Sequence, residues 1–95
     1  MRVTWDPPKN EANKTKHGIE FETAKLVFDD PFCITFVKRV IDGEERWHAI
    51  GSLEKIIVLV VVHTYREENA EEVIRIISAR RATRNEWRLY DQAIG

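Results

Sequence analysis

Apolar and polar positions change period several times along this 95-residue chain, and each change marks an element. Residues 1–5 read as a short first strand. Asp6 then offers an N-cap, and Pro7 a first helical residue whose missing N–H costs nothing. The first helix should run to about Lys16 or His17, where Gly18 supplies a left-handed residue to end it. Its interior is polar, with Ala12 alone apolar, so burial does not explain it. Such a helix either lies flat on the surface or binds something with its polar face. Phe21, Ala24 and Phe28, with Val27 beside them, predict a second helix over residues 20–28, stopped by Asp29-Asp30-Pro31.

The period then falls to two. Residues 32–40 are rich in β-branched and aromatic side chains, and Asp42-Gly43 is a strong hairpin signal. Residues 45–53 alternate, with Trp47 and Ala49 on one face and Arg46, His48 and Ile50 on the other. A turn is expected over 52–55. Residues 55–65, apolar on both faces, predict a central strand. Residues 66–71 read as a polar loop and 72–79 as the last strand. Thr83 and Glu86 form a T-x-x-E capping box for a final helix, in which Trp87, Tyr90 and Ile94 should dock on the sheet. The order β-α-α-β-β-β-β-α predicts a single α+β domain over residues 1–95. Its sheet should be mostly antiparallel, of four to five strands, with helices on one face and the other face or rim free.

Charge sharpens this picture. The net charge is only −1, yet arginines 75, 80, 81, 84 and 88 gather against one acid, Glu86, just after the acidic cluster 67–72. Arg80 and Arg81 fall where a strand gives way to a helix, a junction that can face a phosphate. The two should leave the strand in opposite directions. Cys33 is the only cysteine, so no internal disulfide can form, and a buried inert thiol in a reducing compartment is expected. There is no apolar signal-type segment at the start, and the longest apolar run, residues 56–62, is too short to span a bilayer. A soluble cytoplasmic protein is the expectation.

The three histidines, His17, His48 and His63, have no metal-ligand spacing, so neither a metal site nor another cofactor is expected. Lys16 and His17 suit a helix C-terminus, where cations meet the negative end of the dipole. They also suit general acid–base work beside a cation. His48 shares a strand face with Arg46; it and His63 read as half-buried structural residues. Arg75, inside the last strand, should reach a carboxylate. Trp5, Trp47 and Trp87 read as core. No nucleophilic Ser or Cys motif and no Gly-rich phosphate loop is present. The remaining inventory of Lys, Arg, His and Tyr suits a metal-independent ribonuclease, because RNA carries its own nucleophile, the 2′-hydroxyl.

Several segments together resemble one family. Trp5-Asp6, Lys9, Asn13, Lys16-His17-Gly18, Phe21-Glu22, Ala24, Val27-Phe28 and Asp30-Pro31 are similar to the opening of the BrnT family. Glu45-Arg46-Trp47 with Ile50-Gly51 resembles its central segment. The run from Arg75 to Ala82, then Glu86 and Tyr90, resembles its closing signature. The resemblance implies a RelE-like fold and a ribonuclease toxin of a type II toxin–antitoxin pair that arrests translation and growth. It implies a BrnA-like ribbon-helix-helix antitoxin, two with two toxins, in which the antitoxin and not this chain binds DNA. Carried over by position, the active residues are Lys16, His17, Arg46 and Arg80, with Arg66 added after the central strand. In this assignment Arg80 and Arg46 clamp the phosphate, Arg66 adds charge, and His17 or Lys16 handles a proton. Arg81, Arg84 and Arg88 would bind flanking RNA phosphates. Lys16, Arg46, Arg66 and Arg80 should converge on one pocket. A non-catalytic RNA-binding regulatory module is the alternative.

Overall fold

The first strand, β1 (Arg2–Trp5), pairs not with its neighbour in sequence but in parallel with the last strand, β5 (Glu71–Arg81). The computed structural model describes residues 1–95. Between these two strands in the chain lie β2 (Ile34–Ile41), β3 (Glu44–Leu53) and β4 (Ile57–Glu68), which form antiparallel hairpins with one another and with β5. The sheet order is β1-β5-β4-β3-β2. The helices are α1 (Pro7–His17), α2 (Phe21–Ala24) and α3 (Arg84–Ile94). No helix is long and apolar enough to cross a membrane.

All three hairpins turn on two consecutive left-handed residues: Asp42 and Gly43, Glu54 and Lys55, Asn69 and Ala70. Such turns match the twist of the strands they join. Only the first pair advertises itself, because Lys and Ala rarely accept a positive φ. The expected loop over 66–71 is therefore replaced by continuous strands, in which Glu67 faces Glu72 and Glu68 faces Glu71. Facing like charges disfavour pairing. Arg2 offsets this, with Nη2 3.2 Å from Glu68 and Nε 4.0 Å from Glu71.

The expected helix over 20–28 is also divided. After α2 the backbone tightens into a 3-10 turn, Lys25–Asp29. With three residues per turn, Phe21, Ala24 and Val27 line up on one side, and all three are fully buried. They pack on Ala49, Leu59, Val61, Ile74, Ile76 and Ala79 of the sheet. Gly51 makes this approach possible: a Cβ there would lie 2.7 Å from Val27 Cγ1.

The helices do not share one face as expected. α3 crosses to the opposite face and covers one end of it, where Tyr90 packs with Ile50 and Val60. Its hydroxyl donates to Asp30 at 2.5 Å. Asp30 also accepts from the Ser52 N–H at 2.8 Å, and this cluster ties α3 to the far side of the sheet. Trp87, expected to dock, is 48% exposed, since it lies about 100° round the helix from Glu86.

α1 lies along the sheet edge. β1 stops opposite Ile76, which leaves the outer edge of the rest of β5, away from β4, without a strand partner. Asn13 takes that place. Its Nδ2 donates to the Ala79 carbonyl at 2.9 Å, and its Oδ1 accepts from the Ala79 N–H at 3.0 Å. Nδ2 also reaches the Ile19 carbonyl at 2.9 Å. The polar face of α1 thus substitutes for a strand. Asp6 occupies the N-cap position of this helix without a side-chain cap bond, and Gly18 (φ 72°) ends it as expected.

Candidate nucleic-acid interface

The second face carries its polar and cationic side chains in rows, which α3 covers only toward Ile50 and Val60. Arg75, Thr64, Arg46 and Arg39 stand in register across β5, β4, β3 and β2. The next row holds Ser78, Val62, His48 and Phe36; the third holds Arg80, Val60, Ile50 and Ile34. A bulge in β5 between Ile76 and Ser78 brings this about. Arg75 and Arg80 are an odd number of residues apart and would face opposite ways on a regular strand; the extra residue restores them to one face.

Beside Arg80, one side of α1 completes a cleft of about 440 Å³, lined by Lys9, Ala12, Asn13, Lys16, His17, Ile77, Ser78 and Arg80. Lys16 and His17 are exposed and make no ion pair. Asn13 places them there by fastening α1 to β5. Arg80 is held by a fork of two bonds to Glu86, Nη1 to Oε1 at 2.7 Å and Nη2 to Oε2 at 2.8 Å. That bond raises the Arg80 pKa and pulls the Glu86 carboxyl down to about 2. Glu86 also accepts from the Thr83 N–H at 2.9 Å, while the Thr83 hydroxyl accepts from the Glu86 N–H at 3.3 Å. The capping box and the ion pair are one unit that fixes the guanidinium plane.

This unit makes stability sensitive to acid. The folded Glu86 carboxyl titrates below its unfolded value, so its stabilisation is full above about pH 4.5 and is lost as pH falls through about 2. Glu86→Gln keeps a side chain able to cap but not the ion pair. Thermal melts should show the wild type ahead by about 1–2 kcal/mol at pH 7, allowing for partial exposure, with the gap closing toward pH 2. A pH-independent gap would contradict the assignment.

His48 stands one row from Arg80. Burial first, and then the positive field of Arg80, lower its pKa; Glu86 opposes this, and Lys38 and Arg39 add to it. The shift favours the neutral imidazole. Its ring lies 5.8 Å from that of Phe36, and its Nδ1 is buried without a partner. His63, by contrast, points into the helix-covered core. Burial lowers its pKa to about 4, and Nδ1 contacts the Val61 carbonyl at 3.1 Å. Cys33 is raised to about 11, chiefly by burial, as expected of an inert thiol. No group of three His, Cys, Asp or Glu side chains is placed to hold a metal ion.

The sequence profile of a family described as "Ribonuclease toxin, BrnT, of type II toxin-antitoxin system" matches residues 5–86. The chain belongs to the BrnT family. The crystal structure of the Brucella abortus ribonuclease toxin BrnT is similar, with a TM-score of 0.65 and 26% identity, over 88% of this chain and 99% of that one. No curated protein matches significantly. Membership makes this chain a ribonuclease toxin of a type II toxin–antitoxin system, which implies an antitoxin partner.

The BrnT-type motifs do not meet at one point. Lys16, His17 and Arg80 come together in the cleft. Arg46 and Arg66 lie on the same open face but around Glu44, each 3.6 Å from it. Thr64 and Val60 mark the two rows, which are roughly 13 Å apart at strand spacing. The expectation of a single pocket is thus corrected to two cationic groups, because Glu86 and Glu44 anchor arginines at separate places. Arg81 does leave the strand opposite to Arg80, and lies beside Lys14 and Glu20 on the other face. Arg84 and Arg88 are exposed on the side of α3 turned away from Glu86 and Tyr90. Arg75 makes no ion pair, contrary to expectation; Glu68, which lines the same cleft, is taken by Arg2. Sequence reasoning read His48 as structural and passed over Thr64. Alternation did place His48 beside Arg46; nothing local marked Thr64.

Proposed function

We propose that this chain is a metal-independent endoribonuclease on a RelE-like frame, cleaving RNA by attack of the 2′-hydroxyl on the adjacent phosphorus. The observation that carries this reading is the fixed Arg80 guanidinium beside Lys16 and His17 in an open cleft. Arg80 and Lys16 would hold the non-bridging oxygens as charge grows on them. The P–O2′ bond forms and the P–O5′ bond breaks, leaving a 2′,3′-cyclic phosphate and a 5′-hydroxyl. One group accepts the 2′-hydroxyl proton and another supplies one to the leaving 5′-oxygen. His17 or Lys16 serves one of these transfers, and the neutral His48 has the charge state a base requires. Arg46 and Arg66 add positive potential along the same face. Arg81, Arg84 and Arg88 stand outside the cleft and would meet only RNA that extends beyond it. The antitoxin would be a BrnA-like ribbon-helix-helix protein, two with two toxins, carrying the DNA-binding role in the cytoplasm.

The decisive experiment incubates purified protein with RNA in excess chelator and maps the ends. Cleavage with 2′,3′-cyclic phosphate and 5′-hydroxyl ends supports the proposal; activity that needs added metal refutes it. A second reading, RNA binding without cleavage, is favoured by one observation: Arg80, Arg46 and Arg66 are each already paired with a carboxylate. It predicts salt-sensitive binding and intact RNA.

A further inference from the structure

Four buried side-chain polar atoms lack a hydrogen-bond partner: Arg46 Nε, His48 Nδ1, Thr64 Oγ1 and His63 Nε2. The first three lie on the open face, on the neighbouring strands β3 and β4. A buried hydroxyl without a partner is costly, so native proteins rarely keep one without a use. Thr64 is 1% exposed, and its cross-strand neighbours on this face are Arg46 and Arg75. The helix on this face, α3, packs over its other end. Arg75 has no acidic partner, and Arg46 shares a single carboxylate with Arg66.

We infer that the open face carries a second anion subsite, centred on the Thr64 hydroxyl and flanked by Arg46 and Arg75, that holds a phosphate of bound RNA remote from the scissile one. The inference rests on the ribonuclease reading. A hydroxyl donor between two guanidinium groups provides directed hydrogen bonds for a tetrahedral oxyanion and too much positive charge for a neutral ligand. An anion bound between Arg46 and Arg75 would accept from the Thr64 hydroxyl and end its isolation. The site lies roughly 13 Å along the strands from the Arg80 row, within reach of one continuous RNA strand. Between the two rows stand His48 and Phe36, so the nucleotides spanning the gap would cross them.

The test uses an RNA oligonucleotide with 2′-O-methyl groups throughout, which has no nucleophile, and measures its affinity over a range of salt. Thr64→Val removes the hydroxyl and keeps the shape. It should melt no lower than wild type, since no partner is lost, yet bind about tenfold more weakly. Arg75→Gln should bind more weakly and flatten the salt dependence by about 0.7 in slope, the value for one phosphate contact on a single strand. Unchanged affinity in Thr64→Val together with an unchanged slope in Arg75→Gln would overturn the subsite while leaving cleavage at Arg80 intact. Failure of the wild type to bind the oligonucleotide at all would overturn the ribonuclease reading as well. Loss of an acidic protein partner's binding by these variants, with RNA affinity retained, would assign the site to that partner and overturn the inference.

Discussion

Arg80→Ala should lower kcat/KM for RNA cleavage by about 10²–10³-fold, the usual loss when a donor to transition-state charge is removed. Its effect on affinity for a non-cleavable RNA should be far smaller, because a group that acts mainly in the transition state contributes little to ground-state binding. Arg80→Lys should not rescue it. The fork of 2.7 and 2.8 Å bonds to Glu86 fits a planar guanidinium, and an ammonium group cannot make both bonds in one plane. Single-turnover rates beside binding curves separate the two effects. Equal losses in rate and affinity would make Arg80 a binding residue only and favour the non-catalytic reading.

Asn13→Ala should produce the largest stability loss of any single polar substitution in α1. It removes three bonds of 2.9, 3.0 and 2.9 Å and leaves the N–H and carbonyl of buried Ala79 without partners. Two unsatisfied buried groups cost together about 3 kcal/mol. In a domain of this size that lowers Tm by about 15 °C, a large share of the total stability. Cleavage should also fall at temperatures where the variant is still folded, because Lys16 and His17 are no longer held beside Arg80. A variant that melts within a few degrees of wild type would show that α1 is held by something other than this clamp.

Much of the fold was legible where local chemistry decides the outcome. Gly18 and the Thr83–Glu86 capping box ended and began helices where the pattern placed them. Asp42-Gly43 made its hairpin. The features that escaped depend on distant partners. The parallel contact of β1 with β5 joins opposite ends of the chain, and no local pattern encodes it. The β4–β5 hairpin hides behind facing glutamates whose repulsion Arg2 relieves from another strand. The bulge in β5 reverses the parity of Arg75 against Arg80, and an apolar stretch such as Ile76-Ile77 gives no warning of it.

The site was legible to a similar depth. The motif residues Lys16, His17 and Arg80 lie far apart in sequence and share one cleft, which spacing alone did not reveal. The polar interior of α1, unexplained by burial, proved to contain the clamp residue Asn13. The grouping of Arg46 and Arg66 around Glu44 depends on a tertiary ion pair, so sequence reasoning placed them with Arg80.

NMR mapping of the bound face tests the central claim most directly. Titrating the protein with 2′-O-methyl RNA and following amide and imidazole resonances reports where the strand lies. The account predicts the largest changes at Lys16, His17, His48, Ser78 and Arg80. Changes centred instead on Lys14, Glu20 and Arg81, on the opposite face, with the cleft silent, would contradict it.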